Sequence, residues 1–196
     1  MAAFLGGKLT QRGYTLLLRN LEPIYRELEA ALGCHATHPG IEPLIHPRMF
    51  RLPALHRDLE TLHGSCWRDE LEFLDSSTAY ATRLRHLADF QPELLAAHAY
   101  VRYLGDLSGG QMLAGIVARS LTLPNLDGTY TGTDFYDFGG TDEVSKLTAA
   151  FRSGLDTLPA DGIVAEARLA FELHGQLFDD LANCCGLRAA IVTGPD

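Results

Sequence analysis

The side chains best placed to do chemistry sit in one short stretch, Tyr100-Val101-Arg102-Tyr103-Leu104-Gly105-Asp106-Leu107-Ser108-Gly109-Gly110-Gln111. Arg102 and Asp106 are four residues apart, so on a helix they form an ion pair on one face. Ser108 adds a hydroxyl. Around them stand Gly105, Gly109 and Gly110, each costing a helix roughly 1 kcal/mol relative to alanine. What a glycine offers in return is the missing Cβ, which lets a flat ligand or another backbone come close. Spacing alone leaves two readings open: a kinked helix that lays its backbone bare to a ligand, or a small-residue seam for tight helix–helix packing.

The elements that must hold this stretch read as helices. Thr10 is a plausible N-cap for a helix to about Leu32, with Leu17, Leu18, Leu21, Ile24, Tyr25 and Leu28 at helical spacing. Pro23 predicts a kink in it and Gly33 a stop. A histidine- and proline-rich loop follows from His35 to Pro47. Leu52 to Leu62 and Ser77 to Ala88 each show an apolar face at helical period. Pro92 opens the glycine-bearing helix, which runs to about Leu121. Pro124 to Gly140 is loop-like, with aromatics Tyr130, Phe135, Tyr136 and Phe138. Thr141 can cap a helix through about Leu155, and a last helix spans roughly Pro159 to Cys185, with Ala167, Phe171, His174 and Phe178 on one stripe. No alternating run suggests a sheet, so the expected class is all-α.

A length of 196 residues fits one domain, 1–196, with enough chain to bury a sizeable core. A net charge of −9, with no basic run, argues against nucleic acid as a partner. No stretch approaches the apolar length of a membrane span, and no signal-peptide pattern is visible, so no membrane partner is expected. Cys34, Cys66, Cys184 and Cys185 form no C-x-x-C pair and read as reduced thiols of a cytoplasmic protein. His35, His38 and His46 share a loop, but no acidic or cysteine partner completes a recognisable metal site there.

The string Arg102 to Gln111 closely resembles the distal-helix signature of heme oxygenases, and the likeness extends along most of the chain. Phe4 through Leu32, with its Gly6-Gly7 pair and Ile24-Tyr25, is similar to the family's second helix. Glu93 to Tyr100 matches the lead-in to the signature. Lys146 to Leu158 resembles the segment that meets the heme propionates, and Ala170 to Phe178 the helix that closes the pocket.

The resemblance implies a multi-helix fold in which the glycine helix lies over heme, with heme as both cofactor and substrate. It implies oxidative cleavage of heme to biliverdin, carbon monoxide and ferrous iron, using O2 and external electrons. No flavin or nicotinamide fingerprint is present, so the electron donor would be a partner such as a ferredoxin or a flavoprotein reductase. The chemistry asks for a distal water network able to deliver a proton to bound oxygen. The resemblance places Asp106 at its centre with Arg102 and Tyr25 as partners. Tyr100, Gly105, Ser108 and Gly109 would lie against the porphyrin, Arg152 would bind a propionate, and Phe171 and Phe178 would pack on its edge. A lysine of the family stands as Thr148 here, which predicts weaker anchoring.

Two departures matter. The family's proximal histidine lies on a first helix that precedes the segment beginning at Phe4, and this sequence does not contain it. Either Met1 is an internal start or the helix is naturally lacking, and in the second case a homo-oligomer in which a second copy covers the apolar surface so exposed is one candidate assembly. His174 stands where the family commonly has a pocket asparagine. The axial iron ligand is therefore unknown from sequence, with His174 a candidate, although a histidine on an apolar stripe is more often a satisfied core residue. The alternative function is a non-catalytic heme- or tetrapyrrole-binding protein on the same fold.

Overall fold

A computed structural model describes residues 9–126 and 128–185. The chain folds as helices in sequence order: α1 (Gln11–Cys34), α2 (Leu52–His63), a single-turn α3 (Trp67–Glu70), α4 (Asp75–Phe90), α5 (Leu95–Ala99), α6 (Gly105–Leu121), α7 (Thr141–Leu155) and α8 (Ile163–Cys184). The fold is all-α; a two-residue antiparallel hairpin, β1 (Asn125–Leu126) with β2 (Thr129–Tyr130), decorates the loop after α6. The Gly6-Gly7 pair lies outside the described residues.

Helix α1 is the central beam. Thr10 accepts the Gly13 backbone N–H at 3.1 Å, satisfying an otherwise orphaned donor. Every residue from Gly13 to Tyr25 is buried, because α1 packs against α2 and α4 on different sides. Pro23 sits inside the helix, and Gly33 does not end it; α1 runs on to Cys34.

The helix that carries the Arg102–Asp106 pair is continuous but not uniform. A 3-10 turn at Pro92–Leu94 leads into α5, the backbone widens into a π turn over Tyr100–Leu104, and α6 resumes at Gly105. The deformation thus falls just before the first glycine, where a π turn shifts the facing of the side chains beyond it. α8 starts at Ile163 rather than near Pro159, since Gly162 takes φ 79°, a left-handed conformation that breaks the preceding turn. Thr141 is the first residue of α7, with Gly140 in the cap position. α4 is longer at both ends than its apolar period indicates, and α3 has too few residues to show a period.

Three polar clamps tie the helices together. The buried Asp58 carboxylate on α2 accepts the backbone N–H groups of Asp134 and Phe135, both at 2.8 Å, and so pins the loop after β2. Arg51 donates to the Asp137 carbonyl at 2.6 Å and lies over the Phe138 ring at 3.9 Å. Buried His98 on α5 bonds the Tyr80 hydroxyl on α4 at 3.2 Å and Glu166 on α8 at 2.9 Å, while Arg83 grips the same carboxylate at 2.9 and 2.6 Å.

Candidate functional site

Asp106, Arg102 and Tyr25, all buried, and the half-buried His174 form one hydrogen-bonded chain drawn from α1, the π turn, α6 and α8. Tyr25 donates its hydroxyl to Asp106 Oδ2. Arg102 Nε and Nη2 donate to the same hydroxyl oxygen at 3.1 and 2.9 Å, and Nη1 donates to His174 Nδ1 at 2.7 Å. Arg102 Nη2 also stands 3.6 Å from Asp106 Oδ1. The i, i+4 spacing brings the two charges to one face, as on any helix, but both are buried here, where the pair is far less screened than on a surface.

Burial dominates the protonation chemistry. It pushes the Asp106 carboxyl up, with Arg102 and the Tyr25 hydroxyl pulling against it. It pushes the Tyr25 phenol well up, keeping it a donor. Burial works against the Arg102 charge, yet Tyr25 and Asp106 outweigh it and hold the guanidinium protonated. The His174 imidazole is pushed down to about 3, first by burial and then by Arg102.

This chain borders a cavity of about 170 Å³ lined by Arg102, Gly105, Asp106, Gly109, His174 and Phe178, with Leu17 and Leu21 of α1, Val101, Met112 and Leu113, and Phe135 and Tyr136. The volume is small beside the ~300–1,000 Å³ typical of ligand pockets. The wider cleft of about 580 Å³ near the start of α1 is a surface groove whose His63 and Glu70 satisfy each other at 2.9 Å. The smaller cavity is where the polar groups converge.

The three glycines divide into two jobs. Among the described residues, a Cβ on Gly105 would meet nothing within 4 Å, and one on Gly109 would meet only Leu113 of its own helix at 3.8 Å. A Cβ on Gly110 would press on the Tyr136 carbonyl oxygen at 3.1 Å. Gly110 is therefore the packing glycine, seating the aromatic loop. Gly105 and Gly109 line the cavity, and packing against the described helices does not account for them.

Of the remaining sequence candidates, Tyr25 joins the network from behind and Phe178 lines the cavity, its ring 4.7 Å from that of His174. Tyr100, Ser108, Arg152 and Phe171 are exposed and do not line it; Phe171, 55% exposed, sits on the outer face of α8. Leu17 and Leu21 read in the sequence as ordinary apolar helix positions. Phe135 and Tyr136 stand out there only as aromatics in a loop; the ring of Phe135 meets that of Tyr25 edge-on at 5.3 Å. The loop histidines each tie down local structure: His35 Nε2 contacts the Ala88 carbonyl at 2.9 Å, His38 accepts from Gly40 N–H and His46 from Arg48 N–H.

The heme oxygenase family profile matches residues 1–180. The chain is 35% identical to the heme oxygenase of Porphyra purpurea over 184 residues, covering 91% of this chain and 76% of that protein. It is 36% identical to heme oxygenase 1 of Synechocystis sp. over 183 residues, covering 91% and 74%. Among solved structures, heme oxygenase-1 from Synechocystis in complex with heme superposes with a TM-score of 0.85 at 34% identity, over 97% of this chain and 85% of that one. Heme oxygenase-2 of the same organism, with heme and NO, gives 0.85 at 36% identity, over 96% and 78%. On the strength of a profile spanning nearly the whole chain and relatives above one-third identity, this chain belongs to the heme oxygenase family.

Proposed function

We propose that this protein is a heme oxygenase that cleaves heme to biliverdin, carbon monoxide and ferrous iron with O2 and electrons from outside the chain. The observation that carries the reading is the bare backbone of Gly105 and Gly109, beside a buried acid and facing a cavity, in a helix where alanine would be sterically free. That cradle fits the flat face of a porphyrin. The Leu17, Leu21, Val101 and Phe178 side chains supply its apolar surround.

Bound there, heme would supply the iron that activates oxygen and the ring that is opened. The chain's own residues do the rest. Asp106 holds a carboxylate at the cavity wall that orders water by accepting its hydrogen bonds. Tyr25, made a persistent donor by burial, fixes one carboxylate oxygen. Arg102 braces both through the phenol oxygen. Among the described residues, the other ionisable groups that line the cavity beside this carboxylate include Arg102 and His174, which bond each other, and this suits proton delivery through water over direct contact. Exposed Arg152, which makes no ion pair among the described residues, supports a role in gripping a propionate where the ring edge leaves the cavity.

The hydrogen bond that His174 Nδ1 accepts from Arg102 favours a distal place for this residue over iron ligation. Electrons would come from a ferredoxin or a flavoprotein reductase. Four free thiols support a cytoplasmic setting, and among the described residues no helix is long and apolar enough to cross a membrane.

The test is a hemin titration followed optically, then reductant under air. A saturable Soret complex that decays to a biliverdin spectrum is the expected result. Saturable binding without ring opening would overturn the enzyme reading and leave a tetrapyrrole-binding protein.

A further inference from the structure

The direction of one hydrogen bond decides the state of His174. Arg102 Nη1 lies 2.7 Å from His174 Nδ1, and a guanidinium has donors only. Nδ1 must therefore present its lone pair. An imidazolium would set N–H against N–H and two positive charges side by side, so the ring is neutral and its proton sits on Nε2. Among the described residues Nε2 has no protein partner, and His174 lines the cavity. Phe178, one turn on, meets the ring edge-on at 4.7 Å and fixes its plane.

We infer that His174 is a positioning residue of the distal site: an imidazole locked as the Nε2–H tautomer, which aims Arg102 at Tyr25 and leaves one neutral N–H donor on the cavity wall. Three consequences follow from the geometry. Each nitrogen of the Arg102 fork is engaged, Nε and Nη2 on the phenol oxygen and Nη1 on the imidazole, which holds the guanidinium back from the cavity as a competing charge. The hydrogen bond links α8, the far wall, to the network on α1 and α6. The free Nε2–H suits an oxygen acceptor in the cavity, a water or a ligand oxygen, while the ring offers no lone pair to a metal ion. Burial and Arg102 both hold the ring neutral, with its pKa pushed down to about 3.

The purpose assigned to this donor rests on the heme reading, but its test does not need heme. In the heme-free full chain labelled with 15N-histidine, the His174 ring signals are assigned by their loss in His174→Asn. The expected pattern is neutral Nε2–H, unchanged from about pH 8 down to about pH 5, across the range in which a free imidazole titrates. In His174→Leu the Arg102 Nε–H should exchange about tenfold faster, the equivalent of one lost hydrogen bond. His174→Asn, whose carbonyl oxygen can accept from Nη1, should restore slow exchange.

A Nδ1–H tautomer, titration near the free-imidazole value, or Arg102 exchange indifferent to His174→Leu would each overturn the inference. Should His174→Leu not fold, the wild-type ring signals still decide it, since a Nδ1–H tautomer or a titrating ring overturns the inference without any variant. In the hemin complex, loss of a nitrogen-ligand optical signature on His174→Asn would show iron ligation and refute the distal role. Failure of ring opening in the wild type, with the NMR pattern intact, would count against the heme oxygenase reading alone.

Discussion

Asp106 sits at the point where three demands meet, and they pull in different directions. Burial penalises its charge, while Arg102 and the Tyr25 hydroxyl favour it. Removing the carboxylate leaves Arg102 buried with only neutral partners, which costs stability by about 3 kcal/mol. It also removes the acceptor proposed to order water beside the cavity. Asp106→Ala should therefore lower biliverdin formation about 100-fold while leaving a Soret complex of similar affinity; single-turnover optics with hemin and reductant checks it, and undiminished turnover would refute the assigned role. Tyr25→Phe is the subtler variant. It strips the oxygen that receives two Arg102 N–H groups and donates to Asp106, so about 1–3 kcal/mol of unfolding free energy should be lost in a urea melt. If the melt is unchanged, the phenol is not the hub of the network.

At the scale of the element, the glycines of α6 make opposite predictions from the same substitution. Gly105→Ala adds a methyl to open space, so helix propensity gains up to about 1 kcal/mol and the Tm should rise. The same methyl stands where the flat ligand must approach, so hemin affinity should fall. Gly110→Ala drives a methyl toward the Tyr136 carbonyl at 3.1 Å, so the Tm should fall as the aromatic loop is pushed from its seat. Thermal melts and hemin titrations of the two variants separate the jobs, and a stability loss in Gly105→Ala would contradict the cradle. Three glycines within six residues carry no mark in the sequence of what faces each, so this division emerges only from the structure. What sequence does carry is the helix periods, and with them α1, α2, α4 and the bounds of α7, since long apolar stripes determine which face is buried. Arg102 and Asp106 stand out in the sequence by type and by their i, i+4 spacing, whereas Tyr25, 81 positions from Asp106, joins them only through the family likeness. Leu17, Leu21, Phe135 and Tyr136 escaped because lining a cavity and filling a core ask for the same side chains. The family likeness puts Phe171 at the porphyrin edge, whereas in the structure its side chain is 55% exposed on α8.

Across the whole molecule, the cavity exists only while α8 stays against α5 and α1, and its strongest polar tie is Glu166. That carboxylate joins His98 on α5 and Arg83 on α4, two turns before His174 on the same helix. Burial alone would raise its pKa, but the His98 and Arg83 hydrogen bonds overturn that and hold it down to about 2. An acid held below its unfolded value of about 4.5 contributes stability that is fully present above that value. The contribution is lost as pH falls through about 4.5 toward about 2. Two other buried acids run the opposite way: burial pushes Glu29 and Asp58 each up to about 7, so their share is lost as pH rises from about 4 toward 7. A bare stability profile mixes these signs, whereas the difference between wild type and Glu166→Gln isolates one group. That difference should be constant above about pH 5 and shrink below it, with a limiting slope of about 1.4 kcal/mol per pH unit. Urea melts of both proteins from pH 3 to pH 7 measure it. A difference that does not depend on pH would mean the carboxylate is not ionised between His98 and Arg83. Because Glu166 touches nothing in the cavity, any loss of hemin affinity in Glu166→Gln at neutral pH must act by loosening α8, and should come with faster amide exchange along that helix and no change at Asp106.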